Sequence, residues 1–132
     1  MMTDTNTSKT VSVDWIIHYV FDNENNKTAA HTHGLDKHGM KELEVNLPLE
    51  KNQMLKLVNT VAYELVSNNL VIDEEYYFEA NTIFNCPILL KKTVPVFKSD
   101  KLGKYVLRVI FPDENGNFPW DDGCLPYYKD QI

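Results

Sequence analysis

Apolar and polar residues alternate along the first third of the chain with the period of a β-strand. In VSVDWIIHYVF, residues 11–21, apolar side chains occupy the odd positions, and Ser12, Asp14 and His18 lie between them. After the polar segment DNENNK, TAAHTHGL is interpreted as a second strand, and the alternation returns in KELEVNL. Successive side chains of a strand point to opposite faces, so the pattern predicts three strands, the first with a partly wet face. The short connections between them favour an antiparallel meander.

The period becomes helical after Pro48. Apolar side chains then recur three and four positions apart, at Met54, Leu57, Val58, Val61 and Leu65. Leu55 and Val66 widen this stripe, and the polar run SNN ends it. The spacing predicts one long amphipathic helix that begins near Pro48 and lies on one face of the sheet.

The segment after the helix is rich in β-branched and aromatic residues. It predicts two short strands, over residues 76–84 and 88–97, with prolines at edges or bulges. YVLRVIF, residues 105–111, is apolar except for Arg108, so we expect a central strand that is covered on both faces. The inward positions of the strands and the helical stripe predict the core residues Val45, Leu57, Val61, Leu65, Leu107 and Val109.

No repeat, low-complexity tract or linker divides the chain. We therefore predict a single α+β domain over residues 11–132, preceded by a flexible polar N-terminus over residues 1–10. Its expected architecture is a mostly antiparallel sheet with one long amphipathic helix packed on one face.

Charge argues against two classes of partner. Thirteen Lys and Arg residues against nineteen Asp and Glu residues give a net charge of −6. An acidic surface repels phosphate backbones and anionic lipid head groups, so we expect no nucleic acid and no membrane partner. The two cysteines are too few for a disulfide framework and are expected to be reduced. Without a secretion signal or an apolar stretch long enough to span a bilayer, the expected location is cytoplasmic.

Two motifs carry a family resemblance. THGLDKHGMKELEVNLPLE and VLRVIFPDENGNFPWDDGC, with the helix between them, resemble a family of small bacterial proteins of unknown function that is common in Firmicutes. That family has a T-H-G-L strand end and a C-terminal P-D-x-x-G-x-F-P motif, and the resemblance spans residues 28–128. Here His38 precedes the glycine of HGMKEL, whereas the family usually has G-H-P-E-L. The resemblance implies a small α+β fold and a bacterial cytoplasmic origin, and no reaction.

The segment AAHTHGLDKHG contains three of the four histidines. On a strand, His31 and His33 project to the same face with their roots roughly 6 to 7 Å apart, a spacing that suits two ligands of one Zn²⁺ ion. Asp36, His38 or Glu42 would supply a third ligand. The alternative is structural, with His31 and His33 hydrogen-bonded to neighbouring strands or turn carbonyls.

Two other stretches are candidate binding sites. Thr32, His33 and Gly34 offer backbone N–H groups to an anion at a glycine turn. In FPWDDGC, either Phe118 and Trp120 close the end of the core while Asp121 and Asp122 solvate the turn, or the acids form a rim around an exposed Trp120, suited to a basic protein partner. The closed end is the favoured interpretation.

Two functions from different classes remain. The favoured one is a non-enzymatic binding or regulatory domain that needs no cofactor and acts through protein contacts. A homodimer is expected, formed through the helix margin near Leu55 and Val66 or through a sheet edge. The alternative is a metal-assisted hydrolase or lyase-type enzyme, centred on His31 and His33 with a divalent transition metal such as Zn²⁺.

Overall fold

The computed structural model describes residues 13–22, 27–47, 49–96 and 102–131. In chain order the strands are β1 (Ile16–Asp22), β2 (Lys27–His33), β3 (Leu43–Val45), β4 (Glu75–Phe78), β5 (Ile88–Thr93) and β6 (Val106–Ile110). The helices are α1 (Lys51–Ser67) and the four-residue α2 (Pro126–Lys129). The predicted flexible N-terminus, residues 1–10, lies outside the described residues. None of the described helices has the length and hydropathy needed to cross a bilayer.

These strands form one mixed sheet in the order β1-β2-β3-β6-β5-β4. The first three strands pair antiparallel, so the meander is confirmed. β3 and β6 pair parallel, which corrects the prediction of a mostly antiparallel sheet. The physical reason is the long crossover between them, through α1 and the β4–β5 pair, which returns the chain beside β3 in the same direction. Sequence periodicity carries no information about such a return.

The helix is shorter than the predicted long helix and has 17 residues. It begins at Lys51 because the preceding Glu50 has extended backbone and its side chain accepts a hydrogen bond from the N–H group of Asn52. It ends at Ser67, followed closely by Asn69, whose φ of 51° is left-handed. Pro48, the predicted start, is outside the described residues.

The core lies between α1 and the face of the sheet on which α1 packs, which we call the helix face. The helix buries Met54, Val58, Val61, Ala62 and Leu65. Five of the predicted core residues are buried, namely Val45, Val61, Leu65, Leu107 and Val109. Leu57 is only partly buried and packs against the margin of this core. β6 is central and buried along its whole length, as predicted.

The predicted strands of the second half are shortened at their ends. β4 ends at Phe78 instead of continuing to residue 84, and β5 ends at Thr93. Between them the chain turns through Asn81, which has a φ of 69°. Phe97, the predicted end of β5, is outside the described residues.

Truncation of Leu65 tests the assignment of the helix face. Leu65 is completely buried, so Leu65→Ala should lower the free energy of unfolding by about 2 to 5 kcal/mol, because it leaves a cavity. Leu55→Ala is the matched control. Leu55 is only partly buried, so this variant should lower the free energy of unfolding by about 1 kcal/mol or less. Urea denaturation measures both. Equal losses at the two positions would show that the buried stripe is assigned wrongly.

The other side of the sheet, which we call the second face, carries a row of ionisable residues. Directly paired residues project to the same face of a sheet. The register of all five strand pairings aligns one such residue from each strand, namely His18, His31, Glu44, Arg108, Lys91 and Glu75. The row therefore crosses the whole sheet, from the edge strand β1 to the edge strand β4.

Candidate metal centre

Three histidines from β1 and β2 converge on the second face. His18 on β1 is the direct partner of His31 on β2, and His33 lies two positions further along β2. Ring centroids are 4.4 Å apart for His18 and His33, and 5.0 Å apart for His31 and His33. The rings of His18 and His31 are 5.4 Å apart. We call these three residues the histidine cluster.

The cluster extends from the interior to the surface. His31 is completely buried, His33 is partly buried and His18 is exposed. Alternation along the strands produces this arrangement, because Ile17 and Ala30 point to the helix face and contact the core. Since β1 is an edge strand, solvent reaches the cluster from the His18 side.

One nitrogen from each ring lies within 4.8 Å of the other two. Two nitrogens bound to a tetrahedral zinc ion at 2.0 to 2.1 Å are about 3.3 Å apart, so the rings would need to close by roughly 1 to 1.5 Å. Small rotations of the side chains supply such a movement, and exposed His18 is the least constrained of the three. Three protein nitrogens leave a fourth tetrahedral position open, which is the arrangement of catalytic zinc sites.

The structure does not bring the predicted third ligands into this cluster. His38 binds Asp14 instead, with 2.8 Å between Nε2 and Oδ1. This hydrogen bond with His38 lowers the pKa of the Asp14 carboxyl below its ordinary value. Asp36 is exposed and lines a neighbouring groove, and Glu42 is engaged in a turn.

His18 is the cluster member that sequence reasoning missed. A signal for it existed, because a hairpin whose turn is centred on DNENNK pairs His18 with His31. Proximity in sequence favours His38 as the third member, whereas the pairing of β1 with β2 selects His18.

The Glu42 carboxylate lies at the glycine turn. It accepts hydrogen bonds from the Thr32 hydroxyl at 2.7 Å and from the N–H groups of Gly34, Leu35 and Asp36 at 3.1 to 3.2 Å. These groups begin a 3-10 turn at Leu35–His38. Of the residues predicted to bind an anion, Gly34 contributes its N–H group and Thr32 its hydroxyl, and the acceptor is a side chain of the same protein.

Gly34 joins β2 to this turn and is required there. Its φ is 123°, and a Cβ atom at this position would lie 2.9 Å from the Cα atom of Trp15. A side chain would therefore clash with the backbone that precedes β1. This close approach fixes the end of β2 immediately after His33.

An open groove of about 830 Å³ adjoins the cluster at His33. Besides His33, its ionisable lining residues are Asp14, Asp36, Lys37, Lys41, Glu42 and Tyr105. A ligand in this groove would lie beside the ring of His33, on the side of the cluster that leads to the glycine turn.

A family model described as "Domain of unknown function (DUF4262)" matches residues 12–125. The chain belongs to this family. The match includes the histidine cluster, the glycine turn and FPWDDGC, so all the candidate sites lie within the DUF4262 domain. Membership of a family of unknown function was predicted and is confirmed. No curated protein and no solved structure matches the chain.

The second candidate surface of the DUF4262 domain is built on Trp120. Its ring is half exposed and stacks on Phe118, with centroids 5.0 Å apart and planes within 3°. The Asp121 carboxylate accepts a hydrogen bond from the N–H group of Phe118 at 2.8 Å. One oxygen of the Asp121 carboxylate is therefore engaged within the turn, while Trp120 exposes part of its ring to solvent. Neither residue lines the groove beside the histidines.

Both cysteines, Cys86 and Cys124, are free thiols. Burial raises the pKa of each thiol above its ordinary value, and neighbouring Asp113 adds to the effect at Cys124. A raised pKa keeps a thiol protonated and unreactive at neutral pH, so neither residue is an activated nucleophile.

Proposed function

We propose that this protein binds one divalent transition metal ion through His18, His31 and His33, and that the ion acts on a ligand held in the adjoining groove. The observation that supports the proposal is the convergence of three imidazoles, whose nitrogens lie within 4.8 Å of one another. Sequence alone favoured a non-enzymatic binding domain, because it offered only His31 and His33 on one face. The contribution of His18 from a second strand changes that balance.

The donor set defines the chemistry of the proposed centre. Imidazole nitrogens suit Zn²⁺, Cu²⁺, Fe²⁺ and Ni²⁺, whereas Mg²⁺ and Ca²⁺ prefer oxygen ligands. With an open position, such an ion polarises a bound carbonyl or lowers the pKa of a bound water. We propose a metal-assisted hydrolase or lyase-type activity, with the groove beside His33 as the binding site for the substrate.

Metal analysis of the wild-type protein tests this proposal. Protein purified without a polyhistidine tag is expected to contain, or to take up, one equivalent of Zn²⁺ or Ni²⁺ per chain with micromolar affinity or better. Mass spectrometry of the metal content and calorimetric titration measure the stoichiometry. A metal-free protein that fails to bind either ion at micromolar concentration would refute the proposal.

A second candidate function is binding of a protein partner through Trp120. The half-exposed ring, stacked on Phe118 and followed by Asp121 and Asp122, supports this proposal. Aromatic anchors dominate the binding energy of many interfaces, and the two acids favour a basic partner. This function and metal binding use different surfaces, so one does not exclude the other.

Self-association is a further part of the proposal. β1 forms one edge of the sheet, and its Ile16 and Phe21 side chains are 59% and 50% exposed. An apolar edge strand without Lys or Pro is a template for pairing with a second copy. Light scattering at several concentrations should give twice the 15.3 kDa mass of the chain. A mass of one chain at high micromolar concentration would refute a dimer through β1 or through the helix margin at Leu55 and Val66.

The cytoplasm is the proposed location. The free thiols of Cys86 and Cys124 suit a reducing compartment, and the net charge of −6 suits a protein without a nucleic acid or anionic membrane partner.

A further inference from the structure

We infer that the groove beside the histidine cluster binds a small organic carboxylate, with one carboxylate oxygen on the metal ion and Lys37 and Lys41 along its path. The inference rests on the proposed metal function and names the ligand class of that site. It depends on three observations. The three histidine ligands are neutral, so a bound ion keeps its charge. Two acidic residues of the groove are already hydrogen-bonded, and the backbone N–H groups of the glycine turn are already bound to Glu42.

The donor set leaves positive charge uncompensated. All three ligands are imidazoles, which bind metals as neutral groups, so the bound ion keeps its full double positive charge. Among the described residues, no carboxylate joins the cluster. His31 is completely buried, so water screens this charge poorly on the inner side. An exogenous anion at the open position would therefore be strongly favoured.

Two of the three groove carboxylates are already engaged. Glu42 accepts four hydrogen bonds from the glycine turn, and Asp14 binds His38 at 2.8 Å. Asp36 also lines the groove but is exposed, so solvent and salt screen its charge. The groove therefore repels an anion less than its composition indicates.

The lysines of the groove keep donors for a ligand. Lys37 Nζ donates one hydrogen bond to the carbonyl oxygen of Asp14 at 3.1 Å, and Lys41 Nζ lies 3.5 Å from that of Ile72. An ammonium group has three N–H donors, so each lysine has further donors beyond these contacts. The two cations line the same groove as His33 and make it locally positive in an acidic protein.

Carboxylate is favoured over phosphate by the backbone of the glycine turn. Lysine binds phosphate as a point charge, and the directed hydrogen bonds of a phosphate site come from consecutive backbone N–H groups or from the guanidinium fork of arginine. Here the N–H groups of Gly34, Leu35 and Asp36 already bind the Glu42 carboxylate, and no arginine lines the groove. What remains, a metal ion and two lysines, suits a monovalent carboxylate group.

The test uses full-length protein loaded with Co²⁺, whose visible absorption bands change when its coordination changes. Succinate is the probe for the carboxylate, azide reports whether the metal has an open position, and inorganic phosphate is the competing ligand class. Succinate should change the bands saturably and bind more tightly than phosphate. Lys41→Ala should weaken succinate about 5-fold to 10-fold, an effect of about 1 to 1.4 kcal/mol, and weaken azide less, because azide has no second charged group to contact the lysine. Lys56→Ala, an exposed lysine of α1, is the matched control and should change neither.

The outcomes separate this inference from the proposed function. Failure to bind Co²⁺, Zn²⁺ or Ni²⁺ would refute the metal centre itself. Metal binding with a response to azide but not to succinate, or with tighter binding of phosphate than of succinate, would overturn the inference and leave the metal centre intact. Equal succinate affinities for Lys41→Ala and Lys56→Ala would overturn the part assigned to the groove lysine.

Discussion

His31→Ala and His33→Ala are each expected to weaken Zn²⁺ binding by about 100-fold or more. Structural zinc sites with four ligands have apparent binding free energies of roughly 10 to 16 kcal/mol, or about 3 kcal/mol per ligand, which corresponds to about two orders of magnitude. His18→Ala should have a comparable effect, although His18 is exposed, because the cluster has no fourth protein ligand among the described residues. Competition with a chromophoric chelator measures all three affinities.

His38→Ala is the matched control, since it removes the same type of side chain from outside the cluster. His38 binds Asp14, so its loss should leave Zn²⁺ affinity within about 3-fold of the wild-type value. Circular dichroism of each variant without metal would establish that it is folded. Zn²⁺ affinities that fall equally in all four variants, or in none, would contradict the assignment of His18, His31 and His33 as ligands.

Arg108→Met is expected to lower the free energy of unfolding by about 3 to 5 kcal/mol at neutral pH, the cost of removing one partner of a buried ion pair. Arg108 Nη2 and Glu44 Oε1 are 2.6 Å apart, and both side chains are almost completely buried. Arg108 also donates hydrogen bonds to the carbonyl oxygens of Val94 and Gln131. Methionine retains the aliphatic part of the side chain but leaves the Glu44 carboxylate buried without its counter-charge.

The loss caused by Arg108→Met should shrink as the pH falls. Burial raises the pKa of the Glu44 carboxyl above 4.5, and Arg108 opposes this shift. Without Arg108, the pKa in the folded variant rises further. A carboxyl with a raised folded pKa destabilises the fold when ionised, so the penalty is largest above that pKa and disappears below the ordinary pKa of the unfolded chain.

Urea denaturation of Arg108→Met and the wild-type protein at pH 7.5 and pH 5 measures this dependence. Lys91→Met is the control, because Lys91 pairs with Arg108 across β5 and β6 but is exposed, and its loss should be within about 0.5 kcal/mol. If the loss in free energy of unfolding caused by Arg108→Met were larger at pH 5 than at pH 7.5, the role given to Glu44 would be contradicted.

The histidine cluster shows how far sequence reasoning reached at the candidate site. His31 and His33 were placed on one face by alternation alone, and the structure places them so. The sequence predicts the third ligand in the next turn, at Asp36, His38 or Glu42, because those residues are close to His33 along the chain. The missing step was strand pairing, since a hairpin brings His18 beside His31 from thirteen positions away.

Arg108 shows the same limit in the sheet. Its interruption of an apolar strand was visible, but the partner that makes its burial tolerable, Glu44, lies 64 positions away. The alternation in KELEVNL puts Glu44 on the opposite face from Val45 but does not indicate that this face is covered there. The parallel contact between β3 and β6 places the two residues at the same level, and the segments around Val94 and Gln131 cover them.

Local patterns were sufficient for the strands β1, β2 and β6, for the position of α1 and for most of the core, because burial imposes a period on each element separately. Local patterns did not predict the mixed sheet, the row of ionisable residues, or the cluster formed with His18. Each of these depends on which strands become neighbours and in which register. That choice is made by long-range packing, whose energy is shared among residues far apart in the sequence and leaves no period in any one segment.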